Sequence, residues 1–520
     1  MRPITRRQAL TQIAGVALLA GSCGGGGSAR AGALGSTLVS TWADPAGTGI
    51  LELASGEPLI DRTELGPRRA PVAMIAKLAH VTDAHVLDAS SPARVTFLDR
   101  LGPPFQSTFR PQETLTAQVL AGALRAVRTL RPDAVIQGGD LIDNDQGNEL
   151  SHALAVLGGG TAHPGSGPDG YFGVQLASNP DPFYYRPDVD APRYPGLLRR
   201  AARPFLSAGT GAAWLPVLGD HDILVAGEIA PTTETRSLAL GDEAVWELPP
   251  GLALPPGASG LSLPPVGSLS AGYSPDGPPS AALVNLLVGQ ALAGPKVRVP
   301  PDSSRRELGA DEVVARLRSA SCIGDAPAGL DGERDGSPWL DYHADLGTQL
   351  RLIVLDLARR DGGSGGLVRP DQPSWLASEL GAAGGRWVIV VSHQPLAGSE
   401  GGEQMLALLD RDPRVIAVLA GHTHRNSIAA RPTAAGGYWL IETASLIDYP
   451  QQARALRLLA TAGGGVALQT WMLDHAFPGD LGQISRQLAY LDAQGGRPNG
   501  FSGGPLDRNV TLYRAAPVSA

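Results

Sequence analysis

The sequence predicts a layered α/β protein whose site lies along the carboxyl edges of its strands. Three observations predict it. Short apolar runs of strand length alternate with segments of helical period. Several of these runs stop on a motif built from aspartate and histidine, and glycine sits at the point where the chain leaves the strand.

The run from Val72 to Thr82 is mostly apolar and ends at Asp83, as a buried strand that delivers a ligand at its tip should. Residues 112 to 130 place Leu115, Val119, Leu120, Ala123, Val127 and Leu130 at helical spacing, and Arg131-Pro132 stops that helix. A second strand from Ala134 leads to Gly139-Asp140. The same logic predicts strands from Trp214, Leu350, Trp387 and Val415, three of which run into Asp220, His393 and His422. Ligands at strand ends place the site in the crevice outside the carboxyl edges.

Five motifs then follow one another in order: Asp83-x-His85, Gly139-Asp140-x-x-Asp143, Gly219-Asp220-His221-Asp222, Ser392-His393 and Gly421-His422-x-His424. Any one of them is common; the ordered set is not. Five of the ten histidines fall inside it. Imidazole with carboxylate suits manganese, iron, cobalt or zinc and disfavours a thiolate or calcium site. The glycines at 139, 219 and 421 fit places where backbone turns sharply or passes close to the ions. Two cations about 3.5–4 Å apart can generate a nucleophile, neutralise non-bridging oxygens and stabilise a leaving group, so the set spells a two-metal hydrolytic site.

In these motifs, from about residue 72 to 475, the chain resembles the calcineurin-like metallophosphoesterases. Its N-terminus, its long insertions and the segments 143–149 and 442–450 are similar to those of a bacterial subfamily exported by the twin-arginine route. The resemblance implies a four-layer α/β/β/α sandwich with long loop insertions. It also implies two metal ions, of unspecified identity among Mn, Fe, Zn and Co. Asp83, His85 and His424 would hold the first, His393, His422 and Asp220 the second, and Asp140 would bridge them. A hydroxide between the ions would attack a phosphate ester, with His221 assisting the leaving group and Asp222 orienting His221. Asp143 would support a loop or a ligand histidine. One position departs from the family pattern, because Asp220 stands where the family carries asparagine. An ionised carboxylate there removes the one net positive charge the centre would otherwise keep, so the expected substrate is a phosphodiester rather than a monoester dianion, or one ion is trivalent. The competing reading, from another class, is a non-catalytic metal-containing binding or scaffold protein at the cell surface. Intact His221 and Asp222 argue against it.

Composition narrows the partners. With 520 residues the chain can bury a large core, and a net charge of −8 offers no basic surface for a nucleic-acid polymer. The expected partner is a small phosphate ester. Residues 1–30 read as an address: Arg6-Arg7 precede the short apolar run Ile13–Ala20, the pattern of a twin-arginine signal. Leu19 to Cys23 resembles a lipoprotein cleavage box, and Gly24–Ser28 is a flexible tether; cleavage near Ala29–Ala31 without lipid is the alternative. The chain is thus expected to be exported, tethered on the outer face of the cytoplasmic membrane or secreted. An acylated Cys23 leaves Cys322 without an intrachain partner.

The expected organisation is signal and tether at 1–30, an N-terminal extension at 31–71, the metallophosphoesterase domain at 72–475 with insertions at about 150–212 and 224–340, and a C-terminal extension at 476–520. Tyr184, Tyr185 and Arg186 in the first insertion are candidate substrate contacts, equally readable as surface cover. Asn144, Asn148 and Glu149 could line the pocket or cap a helix. His80 reads as a packed core residue. His343 precedes a strand that could end near the site, and His152, His163 and His475 carry less weight.

Overall fold

The computed structural model describes residues 33–101, 108–247, 293–321, 338–495 and 501–517. The twin-arginine and lipidation motifs, Cys23 and Cys322 lie outside them. No helix among the described residues is long and apolar enough to cross a membrane.

Two sheets form the centre. The first has seven strands in the spatial order Ile60–Leu65, Val510–Arg514, Val466–Asp474, Gln452–Thr461, Pro71–Val81, Ala134–Gln137 and Trp214–Pro216. Its last three strands run parallel, and Pro71–Val81 pairs antiparallel with Gln452–Thr461. The second has six: Tyr342–Leu346, Leu350–Leu355, Trp387–Ser392, Val415–Ala420, Tyr438–Glu442 and Ser427–Arg431, with the middle four parallel. Two strands of the first sheet, Ile60–Leu65 and Val510–Arg514, come from outside residues 72–475, so both extensions complete the sheet. Parallel strands buried on both faces are apolar without alternation, which is why the runs are so visible in the sequence.

Side-chain alternation shows how the layers stack. Leu350, Leu352 and Val354 share a core with Leu78, Val81, Val135 and Ile136 of the other sheet, as do Ile389 and Val391. Their neighbours Ile353, Leu355, Val388 and Val390 face the opposite way, against Leu376 and Leu380 of helix Gln372–Ala382 and Met405, Leu406 and Leu409 of helix Gly402–Leu409. Helix Thr116–Leu130 packs on Gln452–Thr461 and Val466–Asp474, with helix Gly147–Gly158 beside it. The result is the α/β/β/α sandwich that the family resemblance implied. Tyr342 ties the sheets at one edge by donating to the Pro216 carbonyl at 2.8 Å.

The insertions carry structure of their own, including helices Thr233–Leu240 and Ala310–Ala320. They are anchored rather than draped. Gly147 and Leu308 exchange backbone hydrogen bonds with the carbonyls of Arg306 and Asp145 at 2.8 and 2.7 Å. Arg305, fully buried, donates to Asp88 at 3.0 Å, Ser166 at 2.8 Å and the Pro300 carbonyl at 2.9 Å, and so clamps both insertions to the loop that follows His85. Arg305→Ala leaves the buried Asp88 carboxylate without its cation. It is expected to destabilise the protein by about 3–5 kcal/mol at unchanged urea m-value, read from denaturation midpoints.

Candidate metal centre

The strand Pro71–Val81 ends one residue before Thr82, and the chain then turns so that Asp83 and His85 face the carboxyl edge of both sheets. Asp83 and His85 adopt left-handed backbone angles, with φ of 51° and 43°; Asp140, His422 and His424 do the same at 47°, 65° and 54°. Five of the seven expected ligands therefore hold a conformation that costs an L-residue roughly 1–2 kcal/mol. Stitching between the loops sustains it. Asp83 N–H and His85 N–H donate to the carbonyls of Gly139 and Asp140 at 3.1 and 3.0 Å, and Gly421 N–H donates to the His393 carbonyl at 3.0 Å. Gly219 lies where a β-carbon would collide with the Asp140 carboxylate, and Gly227 where one would collide with the His221 ring. These are the close approaches that only glycine permits.

All seven expected ligands converge. Asp83, His85, Asp140 and His424 form one group of potential ligand atoms, and Asp140, Asp220, His393 and His422 form a second, each within 4.8 Å. Asp140 belongs to both. His424 Nε2 lies 3.3 Å from Asp83 Oδ1 and 3.2 Å from His85 Nε2. His393 Nε2 faces Asp140 Oδ2 at 3.0 Å, Asp220 Oδ1 at 3.3 Å and Asp83 Oδ1 at 3.9 Å. His422 turns Nδ1 toward Asp220 Oδ1 at 3.2 Å, while its buried Nε2 has no hydrogen-bond partner among the described residues.

The electrostatics test whether cations fit. Asp83, Asp140 and Asp220 are buried carboxylates packed together, an arrangement that needs compensating positive charge. Burial works against a charged His424, yet the carboxylates of Asp448 and Asp83 outweigh it and lift its pKa to about 9. His393 rises well above the ordinary histidine value, against burial, because Asp140, Asp220 and Asp83 surround it, and His422 rises through Asp220. His85 goes the other way, held down by burial and by His221 and His424. Protons are drawn to the point where three carboxylates converge, and a divalent cation would be drawn to the same potential. The donor set and the charge both fit two cations.

Asp222 departs from expectation. Its carboxylate does not meet the His221 ring: it accepts from the N–H groups of Leu141 and Ile142 at 2.9 and 3.2 Å and of Gly219 at 2.9 Å. It is a strut between two ligand loops, and burial with the nearby Asp140 charge pushes it up to about 7. His221 is oriented instead by Asp143, whose backbone carbonyl lies 2.8 Å from Nδ1. Asp143 also turns its carboxylate to His85 Nδ1 at 3.1 Å, so one residue positions two histidines. The His221 ring stands edge-on to His85, with centroids 4.5 Å apart.

Other candidates move away from the site. The Tyr184 hydroxyl donates to the Trp246 carbonyl of the second insertion at 2.6 Å, while Tyr185 donates to the Pro192 carbonyl and Arg186 to Asp190 and the Asn179 carbonyl, so Tyr184 ties the two insertions together and the other two side chains serve the first insertion itself. His343 pairs with Glu379 at 2.7 Å on the helical side of its sheet. His80 is buried with Nδ1 2.9 Å from the Thr443 hydroxyl, the core role expected of it. Glu149 gathers the N–H groups of Asp88 and Asn144 at 2.9 and 2.8 Å, Asn148 donates to Asp88 at 3.0 Å, and Asn144 accepts from Ala226 N–H at 2.8 Å. All three brace loops.

Comparison with solved structures finds similarity to a dimetal phosphatase from Danio rerio, 12% identical over 78% of this chain and 97% of that one, with a TM-score of 0.40. PhoD is 10% identical over 86% of this chain and 82% of its own, with a TM-score of 0.28. The NAD nucleotidase of Haemophilus influenzae is 12% identical over 39% and 40%, with a TM-score of 0.21. No protein-family model and no curated protein sequence matches the chain.

Four residues of the centre escape a motif reading. Asp448 accepts from His424 Nδ1 at 2.6 Å, and Arg110 holds Asp448 at 2.6 Å. Arg94 pairs with Asp143, and Gln394 donates to Asp220 Oδ1 at 2.9 Å. Only Gln394 adjoins a motif. Asp448 lies in the 442–450 segment, which marked the subfamily resemblance without showing its role.

Proposed function

We propose that this protein hydrolyses a phosphate ester, preferring a diester, with two cations as cofactors. The observation that carries the reading is the pair of ligand groups sharing Asp140, with His221 beside them. Asp83, His85 and His424 would hold one cation, Asp220, His393 and His422 the other, and Asp140 both. When bound, the cations would supply Lewis acidity toward the phosphoryl oxygens and a nucleophile at neutral pH.

The chain's own groups do the rest. The Asp143 carbonyl can only accept, so His221 carries a proton on Nδ1, and the protonated ring can release its Nε2 proton to the departing oxygen. Asp83 is held by the His422 N–H at 3.0 Å and by Thr82 at 2.5 Å, and these bonds fix the angle at which it faces the centre. Asp222 locks the Asp140 loop to the Asp220 loop. Burial excludes bulk water from every ligand except His424, whose side chain is 13% exposed, and the site opens there.

The carboxylate at 220 supports a diester. Its pKa is depressed, with the pull of His422 and His393 outweighing burial, so it is ionised and offsets cationic charge that a dianionic monoester would otherwise use. The acidic net charge supports a small ester rather than a nucleic-acid polymer as partner. The paired arginines support export, and Cys23 supports a lipid tether on the outer face of the cytoplasmic membrane, with secretion as the alternative.

The test is turnover of bis-p-nitrophenyl phosphate and p-nitrophenyl phosphate by the purified full-length chain, with bound metals counted by elemental mass spectrometry. Two metals per chain and faster diester cleavage are expected. Two metals with no turnover of either compound would sink the catalytic reading. With both cation positions saturated by added metal, Asp220→Asn is expected to raise monoester relative to diester turnover by roughly tenfold.

A further inference from the structure

The two expected cation positions differ in what stands behind their histidines. Behind Asp83, His85 and His424, each imidazole gives its outward nitrogen to a carboxylate: His85 Nδ1 to Asp143 at 3.1 Å and His424 Nδ1 to Asp448 at 2.6 Å. Behind Asp220, His393 and His422, neither does. His393 Nδ1 meets the Gly138 carbonyl at 2.8 Å, and the outward Nε2 of His422 is buried without a hydrogen-bond partner among the described residues.

Each backing carboxylate is in turn held by a buried arginine. Arg94 pairs with Asp143 while also donating to Glu113 at 2.7 Å and the Thr108 carbonyl at 2.9 Å. Arg110 grips Asp448 through Nε at 2.6 Å and Nη2 at 3.2 Å. Both arginines come from the segment between the first ligand motif and helix Thr116–Leu130. One stretch of chain thus braces both histidines of one position and neither histidine of the other.

A carboxylate behind an imidazole fixes the tautomer, aims the inward lone pair and raises its basicity; losing such a partner typically costs about 10–100-fold in metal affinity. The arginine keeps that carboxylate ionised and in place. We propose that the centre is unequal by construction. The Asp83–His85–His424 position is the high-affinity one, and Arg94–Asp143 and Arg110–Asp448 are positioning pairs that make it so. The Asp220–His393–His422 position, backed by a carbonyl and an unpartnered nitrogen, is the exchangeable one. This inference rests on the two-cation reading above.

The test uses the full-length chain stripped with a chelator and titrated with Mn2+ alone, the free ion being followed by electron paramagnetic resonance. Two binding classes of one ion each are expected in the parent chain. Asp448→Asn should weaken the tight class by about 10–100-fold and leave the weak class in place. Arg110→Lys, which keeps the charge but loses the two-pronged grip, should move the tight class the same way by less, and decides the matter if Asp448→Asn fails to fold. Asp220→Asn should move only the weak class. Two equal sites in the parent chain, or an equal shift of both classes in Asp448→Asn, would overturn the inequality and leave the two-cation reading standing. No Mn2+ binding at all would overturn both.

Discussion

Asp140→Asn is expected to empty both cation positions and to lower turnover of bis-p-nitrophenyl phosphate by at least about three orders of magnitude, roughly 4 kcal/mol of transition-state stabilisation. Asp140 is the residue that both ligand groups contain. Asparagine is the informative replacement because it isolates the charge. It tolerates the left-handed angle at this position, and its carbonyl oxygen can still accept from His221 N–H, as Asp140 Oδ1 does at 3.0 Å. The fold and the neighbouring loop should therefore survive, and circular dichroism and elemental mass spectrometry on the same preparation would show it. Loss of only one ion, with the other retained at parent affinity, would mean that Asp140 belongs to a single position.

The second large effect falls on His221. His221→Ala should leave metal content unchanged and lower kcat by about 10²–10⁴-fold on a diester with an alkyl leaving group. The same variant should lose far less on a nitrophenyl ester, whose phenolate departs with little need of a proton. This contrast separates proton donation from mere positioning, because a ring that only oriented substrate would cost both compounds alike. The geometry favours donation: the Asp143 carbonyl holds Nδ1 at 2.8 Å, and a β-carbon at position 227 would collide with the ring, so Gly227 keeps its place open. Asp222→Asn is a useful contrast. Its carboxylate holds three backbone N–H groups of the ligand loops, so its loss should appear first as weakened metal retention.

Much of this protein was legible in its sequence, for a physical reason that can be named. A parallel strand buried on both faces must be an unbroken apolar run, and a ligand placed at its tip must follow that run at once. Asp83, Asp140, Asp220, His393 and His422 could therefore be read off one dimension, together with the layered fold that such strands require. The carboxylate at 220 was equally plain, and with it the expected charge of the centre. Local spacing failed where neighbours in sequence part company in space. Asp222 follows His221 by one residue, yet the tight turn sends its carboxylate back to the loops while the ring turns to Asp143. Tyr184, Tyr185 and Arg186 looked like substrate contacts because loops are open in a sequence, but the insertions satisfy their polar groups, Tyr184 across to the second and the other two within the first. What only the tertiary structure decided is the support behind the histidines. Arg110 and Asp448 stand 338 residues apart and carry no spacing signal, because a buried charge finds its partner through three-dimensional packing. The sequence by itself determined which side chains reach the centre; the folded chain decided which of them are held, by what, and how unequally.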